Sequence, residues 1–327
     1  MSNTCLVIGA GMAGLTAARV LQQNGWQPTV LDKGRGVGGR LATRRFDQGK
    51  ADHGAQYFTV RTPEFRKLVS ELEEAGVVKE WNLPNSDHPR FVGKEGMSAV
   101  AKFLAKGLDV HTNARVTKLT PAADGCVAST EAGNQFTAAK VIITAPSPQA
   151  ISLAADSALM LTPSELTSLE SIVYAPCFAV MVVLNQPSIL PFGGLKFADG
   201  PVSWLADNHQ KGISSQQTIL TIHASPDFSR QYLEVPPEEI AAKLIDHLRE
   251  WIPAEAVASF QTHRWRYSLA EKCFPAPFLA TQKPFTLLFG GDGFGMGNVE
   301  GAFQSGLQMA HYLLNEQAST AKVFVSI

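Results

Sequence analysis

"TCLVIGAGMAGLTAARVLQQNG", residues 4–25, begins with a short apolar run from Thr4 to Ile8. Gly9, Gly11 and Gly14 then form a G-x-G-x-x-G, and a helical pattern follows through Leu15, Ala18 and Leu21 until Gly25 stops it. The order strand, tight turn, helix is that of a dinucleotide site. Glycine lets the chain turn sharply and lets backbone approach a pyrophosphate, and the helix start offers unpaired N–H groups to the anion.

An apolar segment this near the N-terminus also invites a secretory-signal reading. Met1 to Thr4 carries no Lys or Arg, however, Arg19 lies at the wrong end, and cleavage near Ala18 would discard all three glycines. The chain continues as "WQPTVLDKGRG" (26–36), a second strand ending at Asp32. An acid about 20 residues past the glycines is placed to accept hydrogen bonds from the adenosine ribose.

The whole chain sets the bounds. Its 327 residues suffice for two lobes, and 28 Lys plus Arg against 29 Asp plus Glu, with no long run of either sign, give no footprint for nucleic acid or an anionic membrane. Cys5, Cys126, Cys177 and Cys273 show no C-x-x-C spacing, so a zinc site, a redox dithiol and a disulfide framework are not expected, and a reducing compartment is the default. No metal site is expected. No apolar stretch reaches the ~20 residues of a membrane span, and the expectation is a soluble, cytoplasmic protein. Short strands are expected through 108–145, helices at 164–172 and 237–251, and strands at 178–184 and 218–223, the last two belonging to a second lobe.

Two further stretches narrow the ligand. "KGRGVGGRLATRR" (33–45) is a dense Gly/Arg loop; its glycines permit close backbone approach, and Arg40 can hold a phosphate through paired N–H donors, although a solvated basic loop is the plainer alternative. "FTLLFGGDGFGMGNVEGAFQSGLQMAHYLL" (285–314) reads as a strand, a glycine loop at Gly290, Gly291 and Asp292, and a helix capped by Asn298 with a stripe of Phe303, Leu307, Ala310 and Leu314. Such a helix start supplies positive partial charge without a charged side chain. Gly295, Gly297 and Gly301 have the wrong spacing for a second nucleotide fingerprint.

Together GAGMAGLTAA, LDKGRGVGGRLATRR, "ADHGAQYFTVR" (51–61), "EGMSAV" (95–100) and GGDGFGMGNVEGAFQSGL resemble, in order and over nearly the whole chain, the renalase family of the FAD-dependent amine oxidase superfamily. The resemblance implies an α/β fold, with a Rossmann-type FAD/NAD(P)-binding domain and an inserted α+β substrate domain, as in amine oxidases and p-hydroxybenzoate hydroxylase. The FAD-binding domain would take 1–60, 95–150 and 283–320, and the substrate-binding domain 61–94 and 151–282. It implies that Gly9, Gly11, Met12, Ala13 and Gly14 hold the pyrophosphate, Asp32 and Lys33 the adenosine end, and Gly39 and Arg40 the diphosphate or ribityl side. Gln56 and Tyr57 would line the isoalloxazine, Val116 would meet the adenine side, Asp292 the ribityl chain, and Asn298 and Val299 the helix start below the pyrimidine. The two chain ends would then meet around one flavin.

Monoamine oxidases hold FAD through a cysteine in a context this chain lacks, so noncovalent FAD is expected and Cys273 reads as an ordinary thiol. No side chain is assigned as acid or base, because the hydride acceptor is flavin N5; Lys196 and Lys272 read as surface charges. Substrate contacts are expected from Phe58, Thr59, Arg61, Gly96 and Met97 by position, and from His223, Trp265 and Tyr267. In "QTHRWRYSLA" (261–270) strand alternation puts His263, Trp265 and Tyr267 on one face and Arg264 and Arg266 on the other. A core role for these aromatics and for His223 is the alternative. The resemblance implies oxidation of 1,2- or 1,6-dihydro isomers of NAD(P)H to NAD(P)+, with O2 going to hydrogen peroxide. A flavin amine oxidase for a small or polyamine substrate is the competing class. A disulfide reductase lacks its cysteine pair, the nearest two here, Cys126 and Cys177, being 51 residues apart. A flavin hydroxylase and a non-catalytic FAD-bound module are further alternatives.

Overall fold

In the computed structural model, which describes residues 3–84 and 88–325 with side chains as far as Gln317, Thr4–Ile8 lies inside a six-stranded sheet. Across that sheet the strands run Leu279–Thr281, Leu287–Phe289, Lys140–Ile143, Thr4–Ile8, Gln27–Leu31 and Asp109–His111, all parallel except the first. Cys5, Leu6, Val7, Val30, Leu31, Val141, Ile142, Ile143 and Leu288 are all at most 1% exposed, as expected of parallel strands covered on both faces. From Thr4–Ile8 the chain moves to Gln27–Leu31 on one side, while Lys140–Ile143 fills the other. The carboxyl end of the first strand is therefore a topological switch point, where open α/β sheets bind ligands.

Two helices cover this point. Met12–Gln23 leaves the glycine turn and ends at Asn24, with Gly25 at φ +80° providing the left-handed exit. The last helix, Val299–Val325, packs directly on it: a Cβ on Gly306 would stand 2.2 Å from the Ala13 carbonyl oxygen. Its buried stripe is Phe303, Leu307, Ala310 and Leu313; the expected Leu314 is half-buried, because the helix turns slightly past that register. An antiparallel three-stranded sheet, Val116–Ala122, Gly125–Thr130 and Gln135–Ala138, completes this side.

The chain divides into two compact units, Met1–Gly39, Ala101–Val173 and Ala270–Ile327 in one, Arg40–Val100 and Tyr174–Leu269 in the other. Packing thus groups 40–60 and 95–100 with the second unit, where the sequence expectation had placed them with the nucleotide side, and 151–173 and 270–282 with the first. The reasons are local. Ala51, in the hairpin Thr43–Arg45/Lys50–Asp52, is buried with Met181, Val183 and Ile219, and Leu279–Thr281 pairs with Leu287–Phe289.

The second unit is built on a five-stranded sheet in the order Gly194–Lys196, Val202–Asp207, Ile219–Ala224, Val173–Leu184 and Val257–Lys272. The run Phe178, Val180, Val182 and Leu184 faces the helix Pro237–His247 through Ile240, Ala241, Leu244 and Ile245, while Met181 and Val183 between them face Ala51. One strand thereby joins two cores. A small sheet, Phe58–Thr59, Arg90–Gly93 and Val78–Glu80, flanks the helix Pro63–Glu74. Among the described residues no helix is long and apolar enough to cross a membrane.

Candidate active site

In the first unit the glycine turn is sterically fixed. Gly9 has φ +114°, and a Cβ on Gly14 would sit 1.9 Å from the Gly9 carbonyl oxygen, so neither position admits a larger residue without rebuilding the turn. Gly11 is the helix N-cap and brings no side-chain cap, and the first turn holds no acid. The N–H groups there are left for an anion. We expect Gly14→Ala to weaken FAD retention at least ten-fold, read by flavin fluorescence on dilution; unchanged retention would place the pyrophosphate elsewhere.

Asp32 stands at the end of the second strand with each carboxylate oxygen held by backbone, Oδ2 by the Ala10 N–H and Oδ1 by the Gly34 N–H, both at 2.6 Å. Its carbonyl accepts from the Ala114 N–H at 2.8 Å, which brings the stretch leading to Val116 alongside. Lys33 donates to Gln149 at 2.9 Å, and its pKa is lowered by burial and by Arg115, against Asp32. The Gly/Arg loop folds back over the turn: the Gly38 N–H donates to the Ala10 carbonyl, and a Cβ on Gly39 would lie 3.7 Å from the Gly11 Cα. Two glycine loops facing each other backbone to backbone, with a fixed carboxylate beside them, have the room and the donors that the diphosphate of a dinucleotide needs.

At the other chain end the Gly291 N–H donates to Ser305 Oγ at 2.9 Å, and Asn298 Oδ1 caps the last helix by accepting from the Gly301 N–H at 2.8 Å, as its sequence position predicts. Val299 opens that helix, and Asp292 is half-buried in the preceding loop. Glu300, which the sequence reading did not single out, lies in the first turn of that helix and is 1% exposed. Cys273 is within 3.7 Å of the Asp292 carbonyl, and burial and Asp292 push its thiol pKa up.

In the second unit the segment 52–57 is pinned through its carbonyls. The Asp52 carbonyl accepts from Thr221 Oγ1 at 2.9 Å and from Gln56 Nε2 at 2.7 Å, that of His53 from Trp265 Nε1 at 2.8 Å, and that of Gly54 from Gln56 Nε2 at 3.1 Å. Both amide hydrogens of Gln56 are thereby engaged. Of the three residues expected on one face of the long strand, His263 and Trp265 meet, their rings 4.2 Å apart, and Trp265 stacks on His53 at 5.5 Å. Arg264 and Arg266 turn the other way, to the Leu233 carbonyl and to Glu234. His223 reaches this cluster through Gln56, 3.5 Å away. Burial holds all three imidazoles neutral, lowering His53 to about 3 and His223 to about 4, and lowering His263 as well.

Tyr57 opens a second group. Its ring centroid lies 5.6 Å from that of Trp204 and 6.4 Å from that of Trp81, which are 6.2 Å from each other. The Arg90 guanidinium sits 4.8 Å from the Tyr57 centroid, and Lys211 Nζ 5.4 Å from Trp81. Lys211 and Asp52 form a fully buried ion pair at 2.7 Å.

The remaining expected substrate residues separate. Thr59 is half-buried and Arg61 exposed. Phe58, 4% exposed, stacks on Phe91, and Met97 is fully enclosed with its N–H on Asp52, so both side chains are core rather than ligand surface. Gly96, at φ +91°, is pressed against Thr43 and Asp52. Tyr267 meets Tyr174, over which Arg40 lies at 5.6 Å while donating to the Ser268 carbonyl. His53, Asp52, Trp81, Arg90, Trp204 and Lys211 were not singled out from sequence; only His53 and Asp52 fall in a stretch already marked.

Residues 71–314 match the family described as flavin containing amine oxidoreductase, and residues 7–72 match an NAD(P)-binding Rossmann-like domain. Renalase of Mus musculus is 27% identical over 336 residues, spanning 94% of this chain and 98% of that protein. An L-amino-acid oxidase of Gloydius halys is 46% identical over 66 residues, 20% of this chain and 13% of its own length. The solved structure of wild-type putrescine oxidase bound to putrescine shares the fold, with a TM-score of 0.71 at 16% identity over 96% of this chain and 99% of that one.

Proposed function

The chain belongs to the flavin containing amine oxidoreductase family, and from that premise we propose that it holds FAD noncovalently and oxidises 1,2- or 1,6-dihydro isomers of NAD(P)H. Hydride leaves the substrate as NAD(P)+ forms, and O2 with a proton becomes hydrogen peroxide. It is a renalase-like, flavin-dependent oxidoreductase; the substrate and the FAD contacts named above are the proposal. When bound, the flavin supplies the hydride acceptor and the route to O2.

What favours a dihydropyridine over an amine is the charge of the second unit's aromatic group. Its rings already carry the cations of Arg90 and Lys211, the buried carboxylate of Asp52 is paired with Lys211, and the neighbouring imidazoles stay neutral. A substrate arriving as an ammonium would meet repulsion there, whereas a dihydropyridine ring arrives neutral and gains charge only as hydride leaves. A neutral, flat ring meets aromatic surface, and a dihydropyridine needs no base, since losing hydride restores aromaticity with no proton to remove. Noncovalent FAD is supported by the cysteines: burial raises Cys5, takes Cys126 to about 11 and Cys177 to about 12, and raises Cys273, leaving all four as poor nucleophiles. Acid or heat should release all the yellow colour from the chain; flavin retained on denatured protein would refute this.

The decisive experiment mixes anaerobic, FAD-loaded protein with each dihydronicotinamide isomer and with simple amines and polyamines. Rapid flavin bleaching is expected with the isomers, at a rate flat from about pH 7 to 9, since His53 and His223, held near 3 and 4, do not titrate there and burial lowers His263 as well. Bleaching by amines alone, rising about ten-fold per pH unit towards the amine pKa, would reverse the assignment.

A further inference from the structure

We propose that Arg90 anchors the pyrophosphate of a dinucleotide substrate, making it the residue that separates a dinucleotide from a smaller dihydropyridine. The inference deepens the dihydropyridine reading and rests on it. Arg90 lies in the strand Arg90–Gly93, paired with Thr59, and its guanidinium is carried on the face of Tyr57 at 4.8 Å from the ring centroid. It is half-exposed and has no carboxylate partner among the described residues, in contrast to Lys50 with Glu95, Arg266 with Glu234 and Lys211 with Asp52.

A guanidinium stacked on an aromatic ring is held in orientation while its fork of N–H donors stays available, and that fork matches phosphate oxygens in pairs. The group behind it adds a second donor without an acceptor: Trp204 is 9% exposed, and its Nε1 is buried with no hydrogen-bond partner. Beside Arg90 and Trp204 the unfilled hydrogen-bonding capacity is donor capacity, while the nearby unpartnered acceptor, Gln56 Oε1, is buried on the histidine side. The ligand that completes the Arg90 fork and Trp204 Nε1 is an acceptor or an anion.

The test compares wild-type, Arg90→Met and Arg90→Lys, all FAD-loaded, on the dihydro isomers of NAD+ and of nicotinamide riboside, which lacks phosphate. Methionine keeps an apolar stem on Tyr57, and lysine keeps the charge without the fork. In R90M the ratio of kcat/KM for dinucleotide to that for riboside should fall about ten-fold or more, through KM, and R90K should recover part of it. The wild-type KM for the dinucleotide should rise with salt, and the R90M value should respond less. Calorimetric binding of NAD+ and of oxidised nicotinamide riboside gives the same comparison without turnover. Equal losses for both ligands, or none, would overturn the role of Arg90. Failure of every dihydropyridine to bleach the flavin would instead overturn the substrate class, while the NAD+ titration still tests Arg90.

Discussion

Lys211→Met should lower the stability of the second unit by about 3–5 kcal/mol, the cost of leaving a buried charge without its partner. Lys211 and Asp52 are both fully buried, and the ammonium donates to Oδ2 at 2.7 Å. The other carboxylate oxygen accepts from Thr43 Oγ1 at 2.6 Å and from the Met97 N–H at 2.8 Å. Asp52 therefore ties together the first hairpin, the start of the helix Ser98–Ala105 and the loop at 208–213. Burial pushes the Lys211 pKa down, and Asp52 opposes that shift. With methionine in place the carboxylate would keep its two neutral donors but no counter-charge. For a unit of this size the loss corresponds to a fall of roughly 10 °C in the tryptophan-monitored transition. Asp52→Asn should be as harmful, since its NH2 group would face donors, and the double variant should recover part of the loss because neither charge remains. A single-variant shift below about 1 kcal/mol would mean that water reaches the pair.

How far such features are legible from sequence depends on how local they are. The first unit follows from contiguous signals: the glycine turn, Asp32 after the second strand, and Asn298 three residues before the N–H it caps. Those signals work because sterics and capping act over a few residues. The break at Gly39 was not legible. The segment 43–52 mixes polar and apolar residues like any surface hairpin, and only contact with Met181 and Ile219, far along the chain, makes Ala51 a core residue. Lys211 sits in "DNHQKGISS", which has the composition of a solvent loop. Its burial is decided by Asp52, 159 positions earlier. Tyr57, Trp81 and Trp204 likewise come from three separate segments, so no window of sequence could have grouped them. Glu300 was overlooked because an acid in a helix's first turn normally faces water, and here it does not.

Lowering the pH from 7 to 5 should remove about 3–4 kcal/mol of stability through His53 and His223 alone. In the folded chain their pKa values are held near 3 and 4, chiefly by burial, against an ordinary 6.5. The sign follows from proton counting. Between pH 6.5 and about 4 the unfolded chain binds protons that the folded chain refuses, so acid favours unfolding, by about 2 kcal/mol for each histidine by pH 5. Above pH 7 both states are neutral at these sites and the contribution disappears. Urea titrations of the FAD-loaded protein at pH 7 and pH 5 would read this as a drop in midpoint, and His223→Gln, whatever its own cost at pH 7, should cut the pH-dependent part by about half. Equal midpoints at the two pH values would show that the imidazoles are hydrated. The same neutrality bears on the proposed chemistry: a nicotinamide ring becomes cationic as hydride leaves, and an imidazolium beside Trp265 would oppose that charge. Under the proposed reading, burial of His53 and His223 spares a developing pyridinium that repulsion, and at neutral pH it does so at no cost in stability, since the unfolded chain is neutral at these sites as well.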